Sequence, residues 1–163
     1  MKKTNVLKLI DRALRLYEEA RSARDAVSVS EIAGRFSKGR GKGAGYGRRY
    51  HSKIWSLDPY AAAYEPVWAC PLPLAWRFRW GWLYGVADQV VFENGVPIAV
   101  IEYKSYPETG KAEEVQVALY SLLVELVFCV GPRAYLITPN GTKEVKEWKE
   151  LAISSLSPLR RTR

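Results

Sequence analysis

Three charged residues sit inside two of the most apolar stretches of this sequence. Asp88 lies in Gly85-Val86-Ala87-Asp88-Gln89-Val90-Val91-Phe92, and Glu102 and Lys104 close Val96-Pro97-Ile98-Ala99-Val100-Ile101-Glu102-Tyr103-Lys104. Charges buried among such residues are costly unless they are paired or bind a metal. Glu102 and Lys104 are two apart and share one face of an extended strand. Asn94-Gly95 between the runs is a strong hairpin signal. Pro97 falls near a strand start, where a missing N–H does least harm. If the strands pair back across the turn, Asp88 reaches the end of the hairpin that carries Glu102 and Lys104. Two carboxylates and an ammonium then converge on one point. Such a cluster is either a strand-edge salt bridge or a place for a metal ion.

The chain has 163 residues, which makes one domain the default, and 48% of them are hydrophobic and spread throughout, against disorder. The net charge of +8 and a pI near 9.5 point to polyanionic partners, nucleic acid before acidic membrane surface. No signal peptide and no apolar run of membrane-spanning length is visible, so the cytoplasm is the expected location and no membrane partner is expected. Cys70 and Cys129 lack the close spacing of a metal knuckle. Cys129, in an apolar run, reads as core, and a disulfide between the two stays open.

The elements that must position the cluster follow from periodicity. Val6, Leu9, Ile10, Ala13, Leu14, Tyr17 and Ala20 recur at helical spacing within residues 4–25, with Thr4 or Asn5 as cap. Ser28-Val29-Ser30-Glu31 is a capping box for a short helix through Phe36. From Ile32 to Leu57 there are seven Lys or Arg and no acid: Arg35, Lys38, Arg40, Lys42, Arg48, Arg49 and Lys53. Glycines interleave them, and Tyr46 and Tyr50 could stack on bases, so this stretch is either a nucleic-acid contact or a solvated basic loop. His51, the one histidine, falls on an expected helix that Asp58-Pro59 closes. Tyr64–Trp68 reads as a first strand, Pro71 and Pro73 as interruptions. Leu74–Tyr84 alternates Trp76, Phe78, Trp80 and Trp82 with Arg77, Arg79 and Gly81, giving an aromatic face and a basic one. A long helix is expected from Lys111 to about Val130. On it Gln116 and Tyr120 are one turn apart, a polar pair among apolar neighbours. Arg133–Thr138 reads as a strand, Asn140-Gly141 as a turn, and Thr142 as the cap of a last helix from Lys143 to about Leu156. Pro158 is the expected stop, and the remaining residues form a basic tail.

Asp88 followed by Glu102-Tyr103-Lys104 across a hairpin resembles the signature of the PD-(D/E)XK nuclease superfamily. Gln116-x-x-x-Tyr120 just after it, and Gly47-x-x-x-His51 upstream, are similar to motifs of its RecB-like branch, which includes CRISPR-associated exonucleases. The resemblance covers about residues 47–120. It implies an α/β fold with a restriction-endonuclease-like core: a central mixed β-sheet of about four to five strands flanked by helices. It implies one nuclease domain over residues 1–158, with N-terminal helices at 1–37, a Gly/Arg/Lys-rich loop at 38–50, a catalytic core at 64–138, a C-terminal helix at 142–157 and a basic tail at 159–163. By the same resemblance Asp88, Glu102, Lys104, Gln116 and Tyr120 are catalytic. His51, Asp88, Glu102 and the Tyr103 carbonyl hold Mg²⁺ or Mn²⁺. Arg35, Lys38, Arg40, Lys42, Tyr46, Arg48, Arg49 and Lys53 hold DNA. The implied activity is metal-dependent phosphodiester hydrolysis, with an exonuclease on ends or single strands ahead of a junction-resolving or restriction-type endonuclease. A non-catalytic nucleic-acid-binding module is the alternative of another class. Many CRISPR-associated members carry an iron–sulfur cluster on four cysteines; with two here, none is expected. A homo-oligomer stays open.

Overall fold

The computed structural model describes residues 1–37 and 57–160. Val6, Ile10, Ala13 and Ala20 form the buried stripe of α1 (Lys3–Arg21). The helix starts at Lys2 without a side-chain cap, so neither Thr4 nor Asn5 serves as one. It ends before residue 25 because the chain is needed next as a strand. The Asp25 carbonyl accepts from the Trp82 N–H at 2.8 Å, and β1 (Ala26–Ser28) runs parallel to Trp82–Tyr84. Ser28 and Glu31 then form the expected capping box of α2 (Val29–Gly34). Asp58-Pro59 opens a 3₁₀ turn (Pro59–Ala63), with the Tyr60 N–H donating to Asp58 Oδ1 at 2.9 Å.

The sheet is mixed and six-stranded. Its order is β1-β3-β4-β5-β6, with β2 on the other edge of β3. β2 (Val67–Phe78) is longer than the expected first strand and runs through both prolines. It pairs only with β3, so an edge position tolerates their missing N–H groups. The Leu74–Tyr84 alternation is two strands, not one: Arg79 and Trp80 turn the chain from β2 into β3 (Gly81–Glu93). A tight turn conceals itself inside a period-two pattern, because the alternation resumes on the far side. The aromatic rings accordingly do not share one face. Trp76 and Phe78 pack against the main core, whereas Trp82 joins a small cluster with Ala20 and Ala75.

The Asn94-Gly95 hairpin forms as expected, with φ of +50° and +80° at its two turn residues, and leads into β4 (Val96–Tyr103). α3 (Lys111–Phe128) carries the chain over to β5 (Arg133–Thr138), parallel to β4, as a βαβ unit. It is buried along most of its length, with Val115, Leu119, Leu123 and Val127 in the main core. Cys129 ends α3 in the left-handed region at φ +62° and is exposed, not core; Cys70 is buried, and both thiols are free. Burial pushes the Cys70 thiol up to about 12.

Two further expectations fail at the C-terminus. Thr142 does not cap a helix: Asn140-Gly141 makes another hairpin, and Gly141–Glu144 is β6, antiparallel to β5. The last helix, α4, runs Trp148–Arg160 with Pro158 inside it. Proline there falls in the final turn, where one ladder bond is lost at small cost to the rest. No described helix is long and apolar enough to cross a membrane.

Gly95 is a tight local demand of the fold. It needs positive φ, and an added Cβ would lie 2.5 Å from Val6 Cγ2. Gly95→Ala is expected to lower unfolding stability by roughly 1–3 kcal/mol, read from urea melts, through backbone strain and overpacking together.

Candidate active site

The hairpin brings Asp88 and Glu102 side by side. Gln89 pairs with Ile101, so Asp88 and Glu102 are the next residues in line on β3 and β4. They are clasped reciprocally through the backbone: the Asp88 N–H donates to Glu102 Oε1 at 3.1 Å, and the Tyr103 N–H donates to Asp88 Oδ2 at 2.9 Å. Both side chains are buried, at 1% and 0% exposure.

A β-bulge decides which way Asp88 faces. On β2 the pairing steps two residues, from Cys70 to Leu72, while on β3 it steps three, from Val90 to Ala87. Asp88 and Gln89 therefore oppose the single residue Pro71. Gly85 and Asp88 are three apart and would face opposite sides of a regular strand. Both nevertheless neighbour Tyr120: its hydroxyl would lie 2.7 Å from a Cβ on Gly85, and the Asp88 charge acts on its phenol. The extra residue resets the alternation between them. The room that the missing side chain of Gly85 leaves is filled by the Tyr120 ring.

Lys104 and α3 complete the group. The Lys104 N–H donates to the Ile137 carbonyl at 2.9 Å, which ties the end of β4 to β5. α3 departs from that same end of β4, so its early turns lie near the strand's carboxyl terminus. Gln116 Oε1 there accepts from Lys104 Nζ at 2.5 Å. The Gln116 side chain also hydrogen-bonds the hydroxyl of Tyr120, one turn on. The Tyr120 phenol is held well above its ordinary value, by burial first and then by the Glu102 and Asp88 charges. Asp88, Glu102, Lys104, Gln116 and Tyr120 are thus brought together. Of Tyr103, proposed above as a carbonyl ligand, the amide is committed to Asp88 and the hydroxyl donates to Gln89 Oε1. Gln89 and the place of Pro71 opposite the bulge escaped the sequence reading, because neither carries a motif: Pro71 acts through strand register, and Gln89 through its bond to the Tyr103 hydroxyl.

His51, Lys38, Arg40, Lys42, Tyr46, Arg48, Arg49 and Lys53 lie outside the described residues. Arg35 is exposed just after α2. Its neighbour Phe36 lies under Lys111 Nζ at 4.9 Å, at the start of the helix that carries Gln116.

Glu102 Oε2 is the buried side-chain oxygen that finds no hydrogen-bond partner among the described residues. Its neighbour is another carboxylate, which it could meet only by carrying a proton itself. Burial, then the Asp88 charge, push the Glu102 carboxyl well above the ordinary value of 4.5; Lys104 pulls the other way. An oxygen with an unused lone pair, beside a second carboxylate, fits a hard divalent cation. Among the described residues no group of three or more His, Cys, Asp and Glu completes such a site, so the donors here are the two acids.

The chain matches no protein-family model, no curated protein and no solved structure.

The raised Glu102 carboxyl has a sign that unfolding experiments can read. The folded state holds a proton that the unfolded chain releases, so Glu102 costs nothing below its unfolded value. Its penalty grows as pH rises from about 4.5 towards the folded value. In EDTA, urea midpoints of the wild type should fall from pH 5 to pH 8. Glu102→Gln should flatten that trend and be the more stable protein at pH 8.

Proposed function

We propose that the chain is a metal-dependent deoxyribonuclease that hydrolyses phosphodiester bonds at DNA ends or in single strands. The observation that carries this reading is the clasped pair Asp88–Glu102, with one buried oxygen that has no partner among the described residues, and a nearby lysine held by a hydrogen bond to Gln116. A structural salt bridge would use Lys104 to satisfy Glu102. Here Lys104 Nζ is directed to Gln116 Oε1, and Glu102 Oε2 finds no donor among the described residues.

Asp88 and Glu102 would hold Mg²⁺ or Mn²⁺. Bound there, the ion would polarise the phosphate and lower the pKa of a water. The chain's own residues do the rest. The two backbone amides of the clasp fix both carboxylates before substrate arrives, so no reorganisation is needed during reaction. Lys104 supplies positive charge beside the acids, to orient the attacking water and to offset charge that develops on the phosphate. Gln116 holds the ammonium in place, and Tyr120, packed on Gly85, holds Gln116. The absence of a side chain at Gly85 is what lets that ring sit against β3. Arg35 and the basic residues that follow it in sequence supply the attraction for the backbone, which makes affinity fall steeply with salt.

Incubation with end-labelled linear and circular single- and double-stranded DNA in Mn²⁺ tests this. Wild type is expected to cut, with a linear preference for an exonuclease and equal cutting of circles for an endonuclease. Asp88→Asn, Glu102→Gln and Lys104→Ala should each lower the rate at least 100-fold, on the order of one essential interaction lost, with DNA binding retained. Cutting that is unchanged in all three variants, or that persists in EDTA, would reject the site.

A further inference from the structure

A second feature lies away from the acids. The tip of the β2–β3 hairpin, the later turns of α3 and the C-terminal half of α4 enclose a groove of about 680 Å³. Phe78 and Trp80 stand on its rim with their rings stacked, centroids 5.3 Å apart and planes within 5° of parallel. Leu126 and Ile153 floor it, and Ile153 is 49% exposed despite being a large aliphatic residue. Arg79 and Arg160 flank it, and no Asp or Glu among the described residues lines it.

We propose that this groove takes an unpaired base of a DNA strand, with the neighbouring phosphates on Arg79 and Arg160. The choice of DNA rests on the nuclease reading above; the choice of an unpaired base rests on the groove. A ring added to the Phe78–Trp80 stack gains contact area on an apolar floor, as bases do on the aromatic platforms of single-strand binders. Guanidinium groups on either side match the phosphates that must accompany that base. A base inside a duplex cannot offer its face in this way, so the groove discriminates for single strands.

Its distance from the acids suits a second contact on one strand. Gly81, beside the groove, and Asp88 are seven residues apart on β3, roughly 23 Å of strand. From Gln116 to Leu126 along α3 is about 15 Å. A strand gripped at the hairpin tip would present to Lys104 a phosphate several nucleotides away. The groove would then set how far from an unpaired stretch the cut falls.

The competing occupant is a second copy of the chain, since Glu144, Glu147 and Glu150 gather near the other end of α4. Fluorescence anisotropy of labelled oligothymidine, in EDTA so that no cutting intervenes, separates the two. Trp80→Ala should weaken single-strand binding about tenfold while leaving duplex affinity unchanged, and Trp80→Phe should restore most of the loss. Arg160→Glu, at an exposed helix end, should weaken binding and lower its salt dependence, and it decides the matter if Trp80→Ala does not fold. Unchanged single-strand affinity in both Trp80→Ala and Arg160→Glu would overturn the proposal. So would an Ile153→Glu variant that turns a dimer into a monomer in sedimentation with strand affinity untouched, because the groove would then seat a second copy. A wild type that never cuts, but loses the strand on Trp80→Ala, would remove the nuclease reading and keep the groove. Asp88-dependent cutting with normal binding by Trp80→Ala would do the reverse.

Discussion

Two carboxylates buried against each other are the constraint around which the rest of this structure is arranged. Each buried ion costs several kcal/mol in lost hydration, and like charges at contact add to that. Two backbone amides, one from each strand, donate to the pair, and bonds to charged acceptors are among the stronger ones available. Among the described residues one buried side-chain oxygen remains unsatisfied, Glu102 Oε2. Stability is therefore sacrificed at one atom while everything around that atom is held in place. Sites that must bind something later have this character, whereas cores that need only persist do not.

The surrounding elements can be understood as what this pair requires. The bulge opposite Pro71 turns Asp88 to the side where Glu102 and Tyr120 lie. Pro71 suits that position because it has no N–H to lose when one residue of β3 goes unpaired. The βαβ crossover starts α3 at the end of β4 and so delivers Gln116 to Lys104 without a long loop. The Lys104 amide, bonded to Ile137, keeps β4 aligned with β5 at the point where the strand ends. Tyr120 links the two groups, since it touches Gly85 on β3 and hydrogen-bonds Gln116. Removing any one of these would leave the acids buried and their partners misplaced.

Much of this was legible in the amino-acid sequence where a local rule governs a local structure. Asn94-Gly95 announces its turn because only residues tolerant of positive φ fit there. The Ser28–Glu31 capping box and the β5 strand follow equally short-range logic. An Asp, an acid-x-Lys and a Gln-x-x-x-Tyr could be placed on strands and a helix by periodicity, and all five side chains do assemble. The failures share a cause as well. The bulge exists only in the register between β2 and β3, which neither strand reveals alone. The turn at Arg79-Trp80 hides within an unbroken alternation. Asn140-Gly141 was read as a turn but not as a hairpin, because Thr142 offered a plausible cap and the β5 partner lies outside any local window. Cys129 follows an apolar helix yet is exposed, since its left-handed backbone at the helix end points it away from the core.

The raised carboxyl of Glu102 ties ligand binding to folding. In the cation-free protein a proton on Glu102 is the cheapest relief for the repulsion with Asp88. A divalent cation would relieve the same repulsion and would also occupy the unpartnered oxygen, so proton and cation compete for one place. Affinity for such a cation would then rise with pH until the proton is gone, and its binding would stabilise the fold by the ordinary mass-action relation. Lys104 stands outside that competition, because its ammonium is held by Gln116 rather than by the acids. A lysine bonded to Glu102 would have to be displaced before a cation entered. One held by an uncharged amide would keep its place while a cation replaced the proton on the acids. The Gln116 amide is thus the part of the arrangement that would let a lysine and a cation share one small, buried site.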